Sequence, residues 1–227
     1  MKPYHYILII LILIGAGAYL NQKEKLAVDR SKLAPKIEES NGFQRWITNL
    51  RNNDFTTGAD EFTLLEENEI YNTKWMKVSS LDDETKRNEF EQRLIEVADI
   101  KKVVFSPSER EYVDYRNIDR YGYIPNEVYF YGIRDDKIID TRLVDCSVGD
   151  NCYFDRAFFL EDSNDVVVVS EFSRDRENKK SELPSCARNE ICTYTIKLHV
   201  IDLLRNSRLV YESKPFDINL EEILPQL

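Results

Sequence analysis

From Lys101 to Glu212 the sequence alternates apolar and polar residues in short runs, with turn-forming clusters between them. This pattern constrains the fold more than any other feature of the chain. The runs are Val103–Phe105, Glu111–Tyr115, Glu127–Ile133, Lys137–Cys146, Cys152–Leu160, Asp165–Phe172, Thr193–Leu203 and Arg208–Glu212. Between them lie Ser106-Pro107-Ser108, Arg134-Asp135-Asp136, Asp162-Ser163-Asn164 and Arg205-Asn206-Ser207, residues that either tolerate turn dihedrals or bond their own backbone. Parallel neighbours need a crossover of a dozen or more residues, so connections this short dictate an antiparallel meander. Val166-Val167-Val168-Val169 is apolar on both faces, which demands a central strand covered on both sides. Residues 173–190 are the one long charged excursion and read as an exposed loop.

The preceding stretch has helical periodicity. Phe43, Trp46, Ile47 and Leu50 fall on one helical face, and Asn52-Asn53-Asp54 ends it. Two short strands are expected at Glu61–Leu65 and Ile70–Val78. Ser80 with Asp83 and Glu84 has the form of a capping box for a second helix running to Ala98, with Phe90, Leu94, Val97 and Ala98 inward. The expected class is α+β, mainly β. An α-containing region, 37–100, packs on an antiparallel β domain, 101–227, built as propeller-like blades or a sandwich.

Ahead of both lies Tyr4–Leu20, which carries no charge and centres on Ile7–Ile14. At 1.5 Å per residue it spans about 25 Å, slightly short of a hydrocarbon core. It reads as a transmembrane signal-anchor, or as a signal peptide with Ala16-Gly17-Ala18 as its cleavage site. Residues 21–36 are charged, contain Pro35 and read as a stalk.

The four cysteines form two pairs of equal spacing, Cys146/Cys152 and Cys186/Cys192. Behind an export-type segment, an even count with matched spacing predicts two disulfides, local pairing being preferred among the three connectivities. Structural zinc favours closer cysteine spacing, so no metal is expected. These features lead us to expect the domain outside the cytoplasm, membrane-anchored in the periplasm or at the cell surface, or secreted if the chain is cleaved after Ala18.

The net charge of −10 repels phosphate backbones and argues against nucleic-acid binding. Walker, dinucleotide, nucleophile-elbow and zincin motifs are absent from the sequence, so no catalytic residue and no cofactor is assigned. His199 reads as a structural strand residue. Glu161–Asp165 lacks the spaced acidic pattern of a calcium loop. The unusual cluster is aromatic. Tyr121, Tyr123, Tyr129 and Tyr131, with Tyr112, Tyr115 and Phe130 nearby, fall within about twenty residues, and each alternating pair shares a strand face. This is either a binding platform for glycan or peptide or cross-strand packing.

Two stretches, Val103–Tyr115 and Ala157–Val169, share one rhythm of apolar strand, polar turn and apolar strand, each followed by a longer strand and a hairpin. A spacing near fifty residues with about four strands per unit is that of propeller blades. Phe105-Ser106-Pro107-Ser108 resembles the strand-end turn of periplasmic β-propellers of the Tol-system type and of WD-type repeats, and Ile201-Asp202-Leu203-Leu204 resembles their outer strand. Glu109 stands where that turn carries glycine. The resemblance covers residues 102–214, about two blades, and implies a binding or scaffolding module. The function expected is a membrane-anchored, non-enzymatic domain that binds an envelope protein or glycan. The alternatives are a carboxylate-dependent envelope hydrolase and a structural subunit of an envelope complex.

Overall fold

A computed structural model of the chain describes residues 30–70, 76–116, 126–145, 152–174, 186–187 and 189–224. The apolar segment Tyr4–Leu20, the first part of the expected stalk, Tyr121, Tyr123 and Cys146 lie outside these residues. In chain order the elements are α1 (Pro35–Glu38), α2 (Asn41–Asn52), a 3-10 turn (Ala59–Glu61), β1 (Thr63–Glu69), β2 (Met76–Ser80), α3 (Glu84–Val97), β3 (Val103–Phe105), β4 (Tyr112–Asp114), β5 (Glu127–Arg134), β6 (Lys137–Asp145), β7 (Cys152–Phe159), β8 (Val166–Arg174), β9 (Ile191–Asp202), β10 (Ser207–Glu212), β11 (Phe216–Asn219) and α4 (Leu220–Ile223).

The strands form two antiparallel sheets. The first has the order β2-β6-β5-β4-β3, the second β1-β10-β9-β8-β7, with β11 also paired to β9. Each sheet is thus a four-strand meander, β3–β6 or β7–β10, completed at its outer edge by one strand from the N-terminal region. The corresponding turns close alike: the Ser106 N–H donates to the Glu111 carbonyl at 2.9 Å, and the Leu160 N–H to the Val166 carbonyl at 3.0 Å. Glu109 takes a left-handed backbone, φ 58°, a conformation glycine adopts without strain.

The expected fold class is corrected in two respects. No helix among the described residues is long and apolar enough to cross a membrane. The longest, α3, has 14 residues and a charged sequence, where a span needs about 20 apolar ones. The expected α-containing region, 37–100, is also more than a layer packed on the sheet, because it supplies an edge strand to each of the two sheets. β1 pairs with β10 from Thr63↔Glu212 to Glu69↔Ser207, and β2 pairs with β6 from Met76↔Thr141 to Ser80↔Lys137. Two consecutive strands therefore close two different sheets. The physical reason is burial: alternating side chains on β8 are apolar in both directions, so the sheet needs a layer on each side.

Those layers are visible in the core. Val167, Val169, Ala157, Phe159 and Ile201 of the second sheet pack between the sheets against Val113, Val128 and Phe130 of the first. The intervening Val168, Phe158 and Leu198 point outward to Phe43, Trp46, Ile47 and Leu50 of α2, joined by Leu220 and Ile223 of α4. On the far side, Phe90 and Val97 of α3 cover Tyr112, Tyr131 and Ile138. The order is helix, sheet, sheet, helices.

Local signals set the helix ends. Ser40 caps α2, its hydroxyl accepting from the Phe43 N–H at 3.2 Å. For α3 the cap is Asp83, accepting from Thr85 and Lys86, not Ser80, so the helix begins later than the capping-box pattern suggests. Residues 31–37 do not extend away as the end of a stalk. Lys32 bridges Thr63, the Leu64 N–H donates to the Ser31 carbonyl, and Leu33 and Ile37 are buried.

Candidate binding groove

Of the four tyrosines expected to form a platform, Tyr129 and Tyr131 are described. Tyr131 lies beneath α3. Its ring centroid is 5.3 Å from Phe90 and 5.5 Å from Tyr112, and the Arg93 guanidinium sits 4.1 Å above it. Burial pushes the neighbouring Tyr112 hydroxyl up to about 12, against the opposing pull of Arg93. Tyr129 donates to Glu127 at 3.0 Å, and Glu127 also takes Arg142 at 2.7 Å. On this face the rings work as packing between strand and helix, as cross-strand aromatics do.

Three polar clusters link neighbouring elements: β8 to β9, α2 to β7, and the turns of the two meanders. His199 Nε2 lies 2.6 Å from Glu171 Oε2, both side chains being buried, and Lys197 Nζ is 3.9 Å from Glu171 Oε1. Burial alone would raise the Glu171 carboxyl. The hydrogen bond and charge of His199, with Lys197 and Ser173, outweigh it and hold the carboxyl below its ordinary value. Among the described residues, buried His199 Nδ1 has no hydrogen-bond partner. The Trp46 indole N–H donates to Asp155 Oδ2 at 2.7 Å, joining α2 to β7, and burial raises that carboxyl despite the bond. Arg134 reaches Glu111 at 2.5 Å and Asp165 at 3.3 Å, so the hairpin of the first meander locks to the turns of both. Gly132 permits this: a Cβ there would overlap Glu111 and the Phe130 ring.

The Tyr131 face carries a cleft of about 170 Å³ lined also by Lys77, Arg93 and Asp140, and a larger space lies on the outer face of the second sheet. Residues 30–35 and α1 stand off from β8, β9 and β10 and leave a groove of about 790 Å³. That is within the range of small-molecule sites, roughly 300–1,000 Å³. Its lining is apolar, with Val166, Val200, Leu209 and the Tyr211 ring on the sheet and Leu33 and Ala34 on the overlying segment. The mouth carries three cations, Arg30, Lys32 and Arg205, and three carboxylates, Glu38, Glu67 and Asp202. Four of these form loose pairs, Arg30 with Glu67 at 3.9 Å and Arg205 with Asp202 at 3.6 Å. The hairpin that supplies Arg205 also exposes Leu204 to 71%.

The groove follows from local sequence. Pro35 starts α1 at a position where its missing N–H costs nothing, and Ala34 before it is extended. The chain therefore turns just after the Lys32–Thr63 bridge and rises off the sheet. Leu33 and Ile37 anchor it on either side.

Cys186 and Cys192 form a disulfide, Cα–Cα 6.6 Å, and Cys152 is likewise disulfide-bonded. Glu190 lies close to the first bridge, but sulfurs joined to each other offer no thiolate to a metal. Comparisons with protein-family models, with curated proteins and with solved structures found no match.

None of the groove's residues stands out in the sequence. They come from residues 30–38, 67, 166 and 200–211, and as isolated apolar or charged positions they look like ordinary core and surface. Nothing local marks them, because the groove is assembled from segments far apart in the chain.

Proposed function

We propose that this chain is a non-enzymatic binding or scaffold domain working outside the cytoplasm, with its ligand seated in the groove between residues 30–38 and the second sheet. The observation that carries this reading is the groove itself, a large apolar floor under a charged mouth. Ligand sites are built this way, with apolar walls supplying affinity and a few polar groups fixing orientation. The extracytoplasmic setting rests on the charge-free segment Tyr4–Leu20 and on the disulfide chemistry, since disulfides persist in oxidising compartments. The buried carboxylates favour binding over hydrolysis. Glu171, Glu111 and Asp155 are each bonded to a side chain of a neighbouring element, and none of them lines the groove.

Titration with N-phenyl-1-naphthylamine, an uncharged dye that fluoresces in apolar surroundings, tests the groove. Saturable one-site binding to the folded chain is expected, lost when Leu209→Arg places a charge on the floor. A folded Leu209→Arg variant that binds dye as before overturns the assignment. Alkylation of the native protein tests the setting, and labelling of all four cysteines without reductant would sink it.

A further inference from the structure

The charges at the groove mouth bear on the head group that a ligand seated there would carry. Four of the six are paired with one another, at 3.9 and 3.6 Å. Lys32 and Glu38 remain. Both are exposed, both line the mouth, and neither has an ion-pair partner among the described residues. One is a cation on the extended stretch before Pro35, the other a carboxylate in α1, so they stand on the two arms of the segment that roofs the groove. A ligand with a single anionic head would satisfy Lys32 and face Glu38. A single cation would do the reverse. A head carrying both charges meets both.

We propose that the groove binds a single-chain zwitterionic amphiphile. Its apolar chain lies between Leu33 and the strand residues Val166, Val200 and Leu209, its anionic group faces Lys32, and its cationic group faces Glu38. The apolar lining gives the chain a surface to lie against. The two loose pairs are longer than the 2.7–2.9 Å of tight charged hydrogen bonds, so Arg30 and Arg205 can adjust to the head without losing strong bonds. The head assignment rests on the groove being the ligand site, as proposed above, and the experiment separates the two.

The probes are dodecylphosphocholine, laurate and dodecylamine, which share a chain length and differ in head charge. Each is added below its micelle concentration to the full chain carrying bound N-phenyl-1-naphthylamine. Dodecylphosphocholine should displace the dye at concentrations about five- to ten-fold lower than either singly charged probe, the scale of one solvent-exposed charge contact. Lys32→Glu should shift the preference towards dodecylamine and Glu38→Lys towards laurate. The double exchange Lys32→Glu/Glu38→Lys should restore dodecylphosphocholine. Both positions are exposed, so the variants should fold, which far-UV circular dichroism checks. Equal displacement by all three probes, with both charge variants silent, overturns the zwitterionic head and leaves the groove standing. If the dye binds but no probe displaces it, the amphiphile is overturned while the groove again survives. A folded wild-type chain that does not bind the dye overturns the groove as well.

Discussion

Replacing His199 with Phe should cost far more than replacing His199 and Glu171 together. In the folded chain His199 and Glu171 are 2.6 Å apart between the sheets, with side chains 5% and 6% exposed. Phe154 on β7 packs edge-on against the imidazole, centroids 6.5 Å apart. His199→Phe removes the carboxylate's closest partner and leaves Lys197, 3.9 Å from its other oxygen. Breaking a buried pair in this way costs about 3–5 kcal/mol. The double variant Glu171→Leu/His199→Phe removes both desolvation costs and also the unpartnered Nδ1, and such replacements are near neutral or stabilising by about 1–4 kcal/mol. Urea unfolding at neutral pH measures both, read as a shift in midpoint at constant slope. A single-variant cost below about 1 kcal/mol, or a double variant no more stable than the single, would refute the view that Glu171 depends on His199 for its charge. The pH dependence gives a second check. The Glu171 carboxyl is held below its ordinary value in the fold, so the unfolded chain takes up its proton first. Its contribution is therefore present above the ordinary carboxylate value and lost as pH falls through the folded one, a loss that the double variant should not show.

Three further outcomes are expected. Trp46→Phe keeps the ring but removes the donor to Asp155, costing about 1.5–3 kcal/mol by thermal unfolding; because burial already raises that carboxyl, the cost should shrink as pH is lowered through its raised value, and a pH-independent cost would contradict the bond. Gly132→Ala pushes a methyl into Glu111 and Phe130 and should destabilise by about 1–3 kcal/mol, measured by chemical unfolding. Glu109→Gly relieves a left-handed residue at φ 58° and should stabilise by about 0.5–1 kcal/mol, raising the melting temperature, whereas a fall would mean that the Glu109 side chain matters to the turn.

Much of the element pattern is legible in the chain. The helix bearing Phe43, Trp46, Ile47 and Leu50 declares itself by its period of 3.6, and the strand at Val166 by an unbroken apolar run that only a doubly covered strand can bury. The paired cysteine spacing points to the Cys186–Cys192 bridge that the fold contains. β11 and α4 escape notice because Phe216–Ile223 is too short and too mixed to show a period. The tyrosine run is conspicuous, yet its exposure is not a sequence property: α3 decides it by placing Phe90 and Arg93 over Tyr131.

What the sequence determined alone is therefore local: where strands and helices run, which strand must be covered on both faces, and which residues turn. The tertiary structure decided how those pieces divide. β1 and β2 are neighbours in sequence, yet one completes a sheet with β10 and the other with β6, and only layered burial of both sheet faces selects that arrangement. The groove is decided in the same way. Lys32 and Glu38 are unremarkable charges until α1 lifts them over Val200 and Leu209, residues more than 160 positions away. Periodicity carries no information about contacts at that separation, because they arise from matching apolar surfaces and not from the chain's local conformation.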